Sequence, residues 1–268
     1  MTGLASSLGL SAAWLTKVLL LSLRIGAVFM MTPLLAPASV PSIVRLLFIL
    51  GLAAALSQAL PAIALAEPEL HGSVMLILAA LTELALGATL AVGILVAFSA
   101  FAVAGRLLDI QIGFGIGQVL DPASNTQAPI LTTSFNQIAL LVFFLVNGHH
   151  ALLRGLAYSL ERFPLGRAWP LDAALVPLIR QMAGLFSLAF SLAAPVVFCL
   201  LLVEMALGVL ARNLPQMNML ALGIPVKIVV GMLALSVWFA GIGDAMSRIY
   251  GSIYQTWDAI FVFQAGAQ

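Results

Sequence analysis

The stretch Asp109–Asn125, DIQIGFGIGQVLDPASN, interrupts a chain that is otherwise almost continuously apolar. Gly113, Gly115 and Gly117 stand at alternate positions, and Ile110, Ile112, Phe114 and Ile116 alternate with Gln111 and those glycines. A period of two is the pattern of extended chain, and glycines this dense weaken a helix strongly. The spacing therefore predicts an extended segment over Ile110–Gly117. Backbone that lacks internal hydrogen bonds does not face lipid. At membrane depth it survives only inside protein or along a watery cavity. An ordinary external connector is the alternative, but it would carry more polar residues than IQIGFGIGQVL does. Asp121-Pro122 starts a turn, and Ser124, Asn125 or Thr126 stands where it could cap a helix beginning near Gln127. The stretch is read as a re-entrant or lumen-facing loop whose apolar side chains seal and whose glycines flex.

The rest of the sequence sets the surroundings of that loop. Of 268 residues, 63% are hydrophobic and 8% charged, where a soluble domain carries about 25% charged residues. The chain is therefore expected to be all-α, a polytopic hydrophobic helical protein, with lipid as its neighbour. A net charge of +1 argues against a nucleic-acid partner, which would demand a basic face. Cys199 is alone, so no disulfide framework and no cysteine-based metal site is expected. The first basic residue is Lys17, which is not the charged leader of a cleavable signal peptide.

A membrane span takes about 20 apolar residues. Runs of that order cover Ile25–Pro41 (back to Leu15 if Lys17 and Arg24 are tolerated), Leu46–Ala66, Leu84–Gly105, Gln127–Val146, Gln181–Val203 and Ile228–Gly243. About six long helices follow, in a single integrated domain over residues 1–268, and Leu200–Leu210 can prolong the fifth. Residues 247–263 read as an amphipathic tail, with Tyr250, Tyr254, Trp257 and Phe261 at helical spacing. A short amphipathic helix carries Leu152, Leu156, Leu160 and Phe163. Thr32–Ser42, with its three prolines, the polar Glu67–Gly72 and Arg212–Lys227 are breaks between long helices. Six spans would put Arg154, Arg162, Arg167, Arg180 and Arg248 on one side and Arg45, Arg106, Arg212 and Lys227 on the other. That is no positive-inside bias, so either the count is off or these helices do not finish as simple spans.

Arg24, Glu83, Arg106, Asp109, Glu204, Arg212, Asn218 and Lys227 are the candidates for intersubunit or buried polar contacts. Ionisable groups in hydrocarbon cost a few kcal/mol even on the lenient insertion scale, so they face a bundle interior, a partner or water. Salt bridges within the chain and snorkelling at helix ends are one reading; pairing with a partner subunit or lining a conducting path is the other. Glu83 is the sharpest case. Gly87 and Ala91 follow it at i+4 and i+8, a small-residue stripe that lets another helix approach closely. Enzyme motifs are absent. GFGIG has Gln118 where a dinucleotide fingerprint has its third glycine. His149 and His150 are adjacent, so on a helix they diverge by about 100° and do not chelate one ion. No catalytic residue, metal or cofactor is expected.

Five stretches together resemble the FliR family of flagellar export-apparatus proteins, which is related to the SctT component of type III secretion systems. They are Leu23–Ala53, the Glu83–Gly87 pair, Gly105–Leu131, Leu141–Leu153, and Leu207–Gly231 with its Pro215–Asn218 PQMN and Pro225–Lys227 PVK motifs. The resemblance covers nearly the whole chain in one order, and PQMN with PVK is more like the flagellar branch. It implies a subunit that assembles with FliP-like and FliQ-like proteins into an export gate, joined by an FlhB-like switch protein. Unfolded flagellar proteins would be the cargo, and the place the bacterial inner membrane, within the flagellar basal body. It further implies that the loop matching Asp109–Pro122 belongs to a plug. Ile112, Phe114, Ile116 and Val119 would then seal a closed channel, and Gly113, Gly115 and Gly117 would hinge it. The competing classes are a stand-alone transporter or small-solute channel, whose internal repeats are not seen in this sequence, and a scaffold with no lumen-facing part.

Overall fold

The structure, a computed structural model, describes residues 12–34, 40–59, 73–114, 129–167, 171–213 and 219–263. All their regular elements are helices: α1 (Ala12–Met31), α2 (Ser42–Ala59), α3 (Ser73–Ile112), α4 (Ile130–Leu145), α5 (Gly148–Arg162), α6 (Asp172–Asn213), α7 (Met219–Phe239) and α8 (Gly243–Phe263). The all-α expectation holds. The runs Leu84–Gly105 and Gln181–Val203 are the middles of helices of 40 and 42 residues. At 1.5 Å per residue each is roughly 60 Å long, about twice the hydrocarbon thickness of a bilayer. Among the described residues four helices are long and apolar enough to cross a membrane: α1, α3, α6 and α7. The broken pair α4–α5, counted as one span, brings the count to five. Asn147, at φ 57°, makes the left-handed link between that pair.

Two expectations are corrected. Ile110–Ile112 is not extended; it is the last turn of α3. Ala104, Leu108 and Ile112 recur every fourth residue and are all 0% exposed, so burial of a helical stripe overrides the alternation with glycine. The helix stops at Gly113, whose φ of 101° a side chain would oppose. Met219–Lys227 is likewise helix rather than break, and α7 runs through Pro225. A proline there removes one backbone bond, a loss that apolar helices accommodate. Residues 60–72, 115–128 and 214–218, which hold the polar turn at Glu67–Gly72, the Asp121-Pro122 turn and Asn218, lie outside the described residues.

The chain divides into two compact units, and α3, α6 and α8 contribute to both. Unit one comprises residues 1–95, 146–181 and 253–268, and its centre is ionic. Arg24 on α1 is 1% exposed and Glu83 on α3 is 2% exposed. The Arg24 Nε donates to Glu83 Oε2 at 2.6 Å. Nη1 donates to the Ser159 carbonyl at 3.1 Å and to its hydroxyl at 3.3 Å, and Nη2 to the Phe163 carbonyl at 2.9 Å. Glu83 Oε1 accepts the Gly166 N–H at 3.1 Å. One ion pair thus ties α1, α3, the end of α5 and the turn after it. The Glu83 stripe does what its small residues suggested: a Cβ on Gly87 would come 2.8 Å from that of Ala27 and closer still to the Arg24 carbonyl. Around this centre, Phe29 meets Phe48 edge-on at 5.6 Å, and the buried Leu152, Leu156 and Leu160 give α5 its inner face. The Trp257 indole donates to the Leu90 carbonyl at 3.2 Å.

Unit two comprises residues 96–145 and 182–252. Its core is aromatic. Phe98, Phe101, Phe143 and Tyr250 stack with centroids 5.5–6.3 Å apart. The Tyr250 hydroxyl donates to the Ala139 carbonyl at 2.6 Å, and burial pushes its pKa up, so it stays a protonated donor. The Trp238 indole donates to the Leu192 carbonyl at 2.9 Å. Outward faces are apolar: Phe186 is 70% and Val237 78% exposed. Of the most apolar window of α7 only 11% is buried, against 61% in α3.

The buried pair generates a prediction. Glu83→Ala leaves the Arg24 charge buried without its counter-ion and is expected to destabilise the chain by about 3–5 kcal/mol. Glu83→Ala combined with Arg24→Met removes both charges and should recover most of that loss. Thermal unfolding of the detergent-purified chain measures both. A double variant as unstable as the single one would refute the account.

Candidate functional site

The place where the sequence breaks its apolar pattern is held by a clamp in unit two. Asp109, on the last turns of α3, is 2% exposed. Its Oδ1 accepts the Leu131 N–H at 2.9 Å. Its Oδ2 accepts the Thr132 N–H at 2.9 Å and the Thr132 hydroxyl at 2.8 Å. The first N–H groups of a helix have no partners within it, and a carboxylate there also meets the positive end of the helix dipole. Asp109 therefore caps α4 from 22 residues upstream. Ser124, Asn125 and Thr126, the local cap candidates, are outside the described residues, and α4 starts at Ile130 rather than near Gln127. Close approach makes the cap geometry attainable: a Cβ on Gly105 would fall 2.6 Å from the Thr132 Cα.

The clamp has a consequence for the chain between its jaws. The end of α3 and the start of α4 are fixed to each other, so the intervening segment leaves and returns at one place. Its leaving end is rigid. Ile112 is 0% exposed and packs on α7, where a Cβ on Gly231 would meet Ile112 Cδ1 at 3.0 Å. Gly113 is buried and donates its N–H to the Asp109 carbonyl at 3.3 Å, and Phe114 is half-buried. Gly115, Ile116, Gly117 and Val119 lie outside the described residues.

The other polar candidates separate clearly. Glu204 on α6 and Lys227 on α7 form an ion pair that is partly exposed, set among the exposed apolar Leu201, Leu202 and Met205. Arg106 and Arg212 are exposed. Five of the eight candidates, Arg24, Glu83, Asp109, Glu204 and Lys227, thus have partners within this chain. Sequence reasoning missed the acceptors that complete the Arg24 site, Ser159 and Phe163, which lie 135 and 139 residues away. It also missed Asp109 as a helix cap, because a cap is sought in the residues just before a helix. Among the described residues no three His, Cys, Asp or Glu side chains come together as a metal site. The chemistry of the site is mechanical: the Asp109 carboxylate fixes the end of α3 to the start of α4.

Known proteins are similar to this sequence over most of its length. The family described as "Bacterial export proteins, family 1" matches residues 15–253. The flagellar biosynthetic protein FliR of Bacillus subtilis (strain 168) is 33% identical over 244 residues, 89% of this chain and 92% of its own. FliR of Escherichia coli (strain K12) is 28% identical over 243 residues, 90% of this chain and 91% of its own. The secretion system apparatus protein SsaT of Salmonella typhimurium is 28% identical over 145 residues, 54% of this chain and 56% of its own. With a match across all eight helices' worth of sequence but the two ends, the chain belongs to family 1 of the bacterial export proteins, the family that contains FliR.

Proposed function

We propose that this chain is a non-enzymatic subunit of the flagellar type III protein export gate, and that the segment Gly113–Val119 helps to plug the channel. The match over residues 15–253 carries the first part. The flagellar branch is favoured because the FliR proteins of Bacillus subtilis and Escherichia coli cover 89% and 90% of the chain, whereas SsaT covers 54%. In this reading the protein sits in the bacterial inner membrane within the basal body. FliP-like, FliQ-like and FlhB-like proteins cover its exposed apolar faces, and unfolded flagellar proteins pass the gate.

The clamp supports the second part. A plug has to move or yield while its roots stay put. Ile112 is anchored inside unit two, Gly113 frees the backbone at a positive φ, and Asp109 holds both roots together. Phe114, Ile116 and Val119 are then the sealing side chains, and Gly115 and Gly117 supply compliance between them. A connector with no such task has no need of glycine and isoleucine in alternation.

Two outcomes test this. Deleting Gly113–Gly117 is expected to leave the assembled complex intact and make it leak ions in reconstituted vesicles; an intact complex as tight as the wild type would sink the plug. Asp109→Ala is expected to cost about 1–2 kcal/mol in the thermal stability of the chain, the worth of a helix cap, with leakage between that of wild type and deletion. Co-purification gives the wider check: the chain should come away with FliP-like and FliQ-like subunits, and a chain that runs only alone or with itself would remove the gate.

A further inference from the structure

Unit one carries a groove of about 360 Å³ between α5 and α8 that neither the plug nor the buried ion pair uses. Its shape follows from two helical stripes in matching register. On α5 the small residues Ala151 and Gly155 open the space; Gly155 lies directly against the Trp257 ring. Aromatic rings from both helices, Tyr158, Tyr254, Trp257 and Phe261, form its walls. Tyr158 and Phe261 meet edge-on at 5.5 Å, and Tyr254 meets Trp257 edge-on at 6.4 Å. The Tyr254 hydroxyl donates to the Gly148 carbonyl at 3.1 Å, which fixes its ring. Two opposite charges, Arg154 and Asp258, border the same groove. Both are exposed, and the ion pairs among the described residues, Arg24–Glu83 and Glu204–Lys227, do not involve them.

A cation and an anion on one aromatic-walled groove, each without a counter-ion among the described residues, match a ligand that carries both charges. We propose that this groove holds the headgroup of a zwitterionic phospholipid, the phosphate on Arg154 and the ammonium on Asp258 and the Tyr254 ring, since the Tyr158 ring already carries the Arg162 guanidinium at 5.3 Å. A guanidinium binds phosphate with a fork of donors, and ammonium groups are drawn to aromatic faces. Free inorganic phosphate fits poorly, because Asp258 repels it. A peptide segment fits poorly too. The groove walls are helical, so they offer no sheet edge of free N–H and C=O groups for an extended peptide to add to. Lipid is the neighbour at hand. In the same unit α1 is apolar and long enough to cross a membrane. Amphipathic helices with Tyr and Trp, as α5 and α8 are, belong at headgroup depth. The inference needs only a membrane-embedded chain and stands whichever apparatus that chain serves.

The experiment uses the full chain in detergent, titrated with phosphatidylethanolamine or phosphatidylglycerol and read by native mass spectrometry. Wild type should retain phosphatidylethanolamine at least about tenfold more tightly than phosphatidylglycerol. Arg154→Gln and Asp258→Asn should each lose about tenfold of that affinity, the worth of one charge-assisted contact, with helix content unchanged by circular dichroism. Ala151→Trp, which fills the groove, should abolish the preference. Free phosphoethanolamine should compete, weakly, where inorganic phosphate does not. Equal retention of the two lipids by wild type, or full retention by Arg154→Gln and Asp258→Asn, overturns the site. So does an assembled complex in which these substitutions release a partner chain and leave phospholipid content unmoved.

Discussion

Unit one depends on a charge that ought to be expensive. Arg24 and Glu83 are buried at the centre of an apolar chain, and moving two such ions out of water costs several kcal/mol each even after relaxation. Their mutual attraction offsets that cost only because the remaining lone pairs and protons are also used. Three of the guanidinium's nitrogens reach four acceptors, and both carboxylate oxygens accept. The arrangement is satisfied at one relative position of α1, α3 and the end of α5, and at no other. A slide of one helix past another by a single turn, about 5.4 Å, would strand both charges. The pair therefore sets register, a task that apolar packing alone performs poorly when every helix face is equally greasy.

The same logic explains how the rest of the chain is fastened. In lipid there is no hydrophobic force between helices, so association rests on close packing and polar contacts. Several long-range side-chain bonds here run to helix backbones: Tyr250 to the Ala139 carbonyl, Trp238 to Leu192, Trp257 to Leu90, Gln181 to Gly93, and the Leu131 and Thr132 N–H groups to Asp109. A helical carbonyl keeps a second lone pair after its own ladder bond. Using it joins two helices without leaving either with an unpaired backbone group. Gly87 and Gly105 bring backbones close enough for the polar contacts beside them to form.

Composition made the helical class legible, because a chain with 8% charged residues has few other ways to satisfy its backbone. The Glu83–Gly87 stripe pointed to a close helix neighbour, which proves to be α1. What the sequence did not reveal was which polar groups meet, since Arg24 and Phe163 are 139 positions apart and no local pattern links them. Local rules also misplaced the two breaks. Glycine alternation set the expected end of this helix before Ile110, although Ala104, Leu108 and Ile112 share a buried face and α3 runs to Ile112. Arg212–Lys227 read as a break, yet Met219–Lys227 is the start of α7, which continues through Pro225. In both cases propensity lost to burial or to an apolar setting in which the alternative to helix is bare backbone.

Inside and outside follow opposite rules. The charges at the centre of unit one are buried and paired and the one under the clamp is buried and hydrogen-bonded, while Phe186, Phe198, Leu233 and Val237 face outward. Exchanging lipid for an apolar partner on such a surface changes little in hydrophobic energy, since both neighbours are apolar. Assembly must then draw its specificity from shape and from the few polar groups left at the surface, of which the partly exposed Glu204–Lys227 pair is one. A chain held together by internal polar contacts can enter such an exchange without refolding, because nothing that defines its two units is offered to the solvent being replaced. The clamp follows the same rule: Asp109 and Ile112, which fix the end of α3 to α4 and to α7, are both buried.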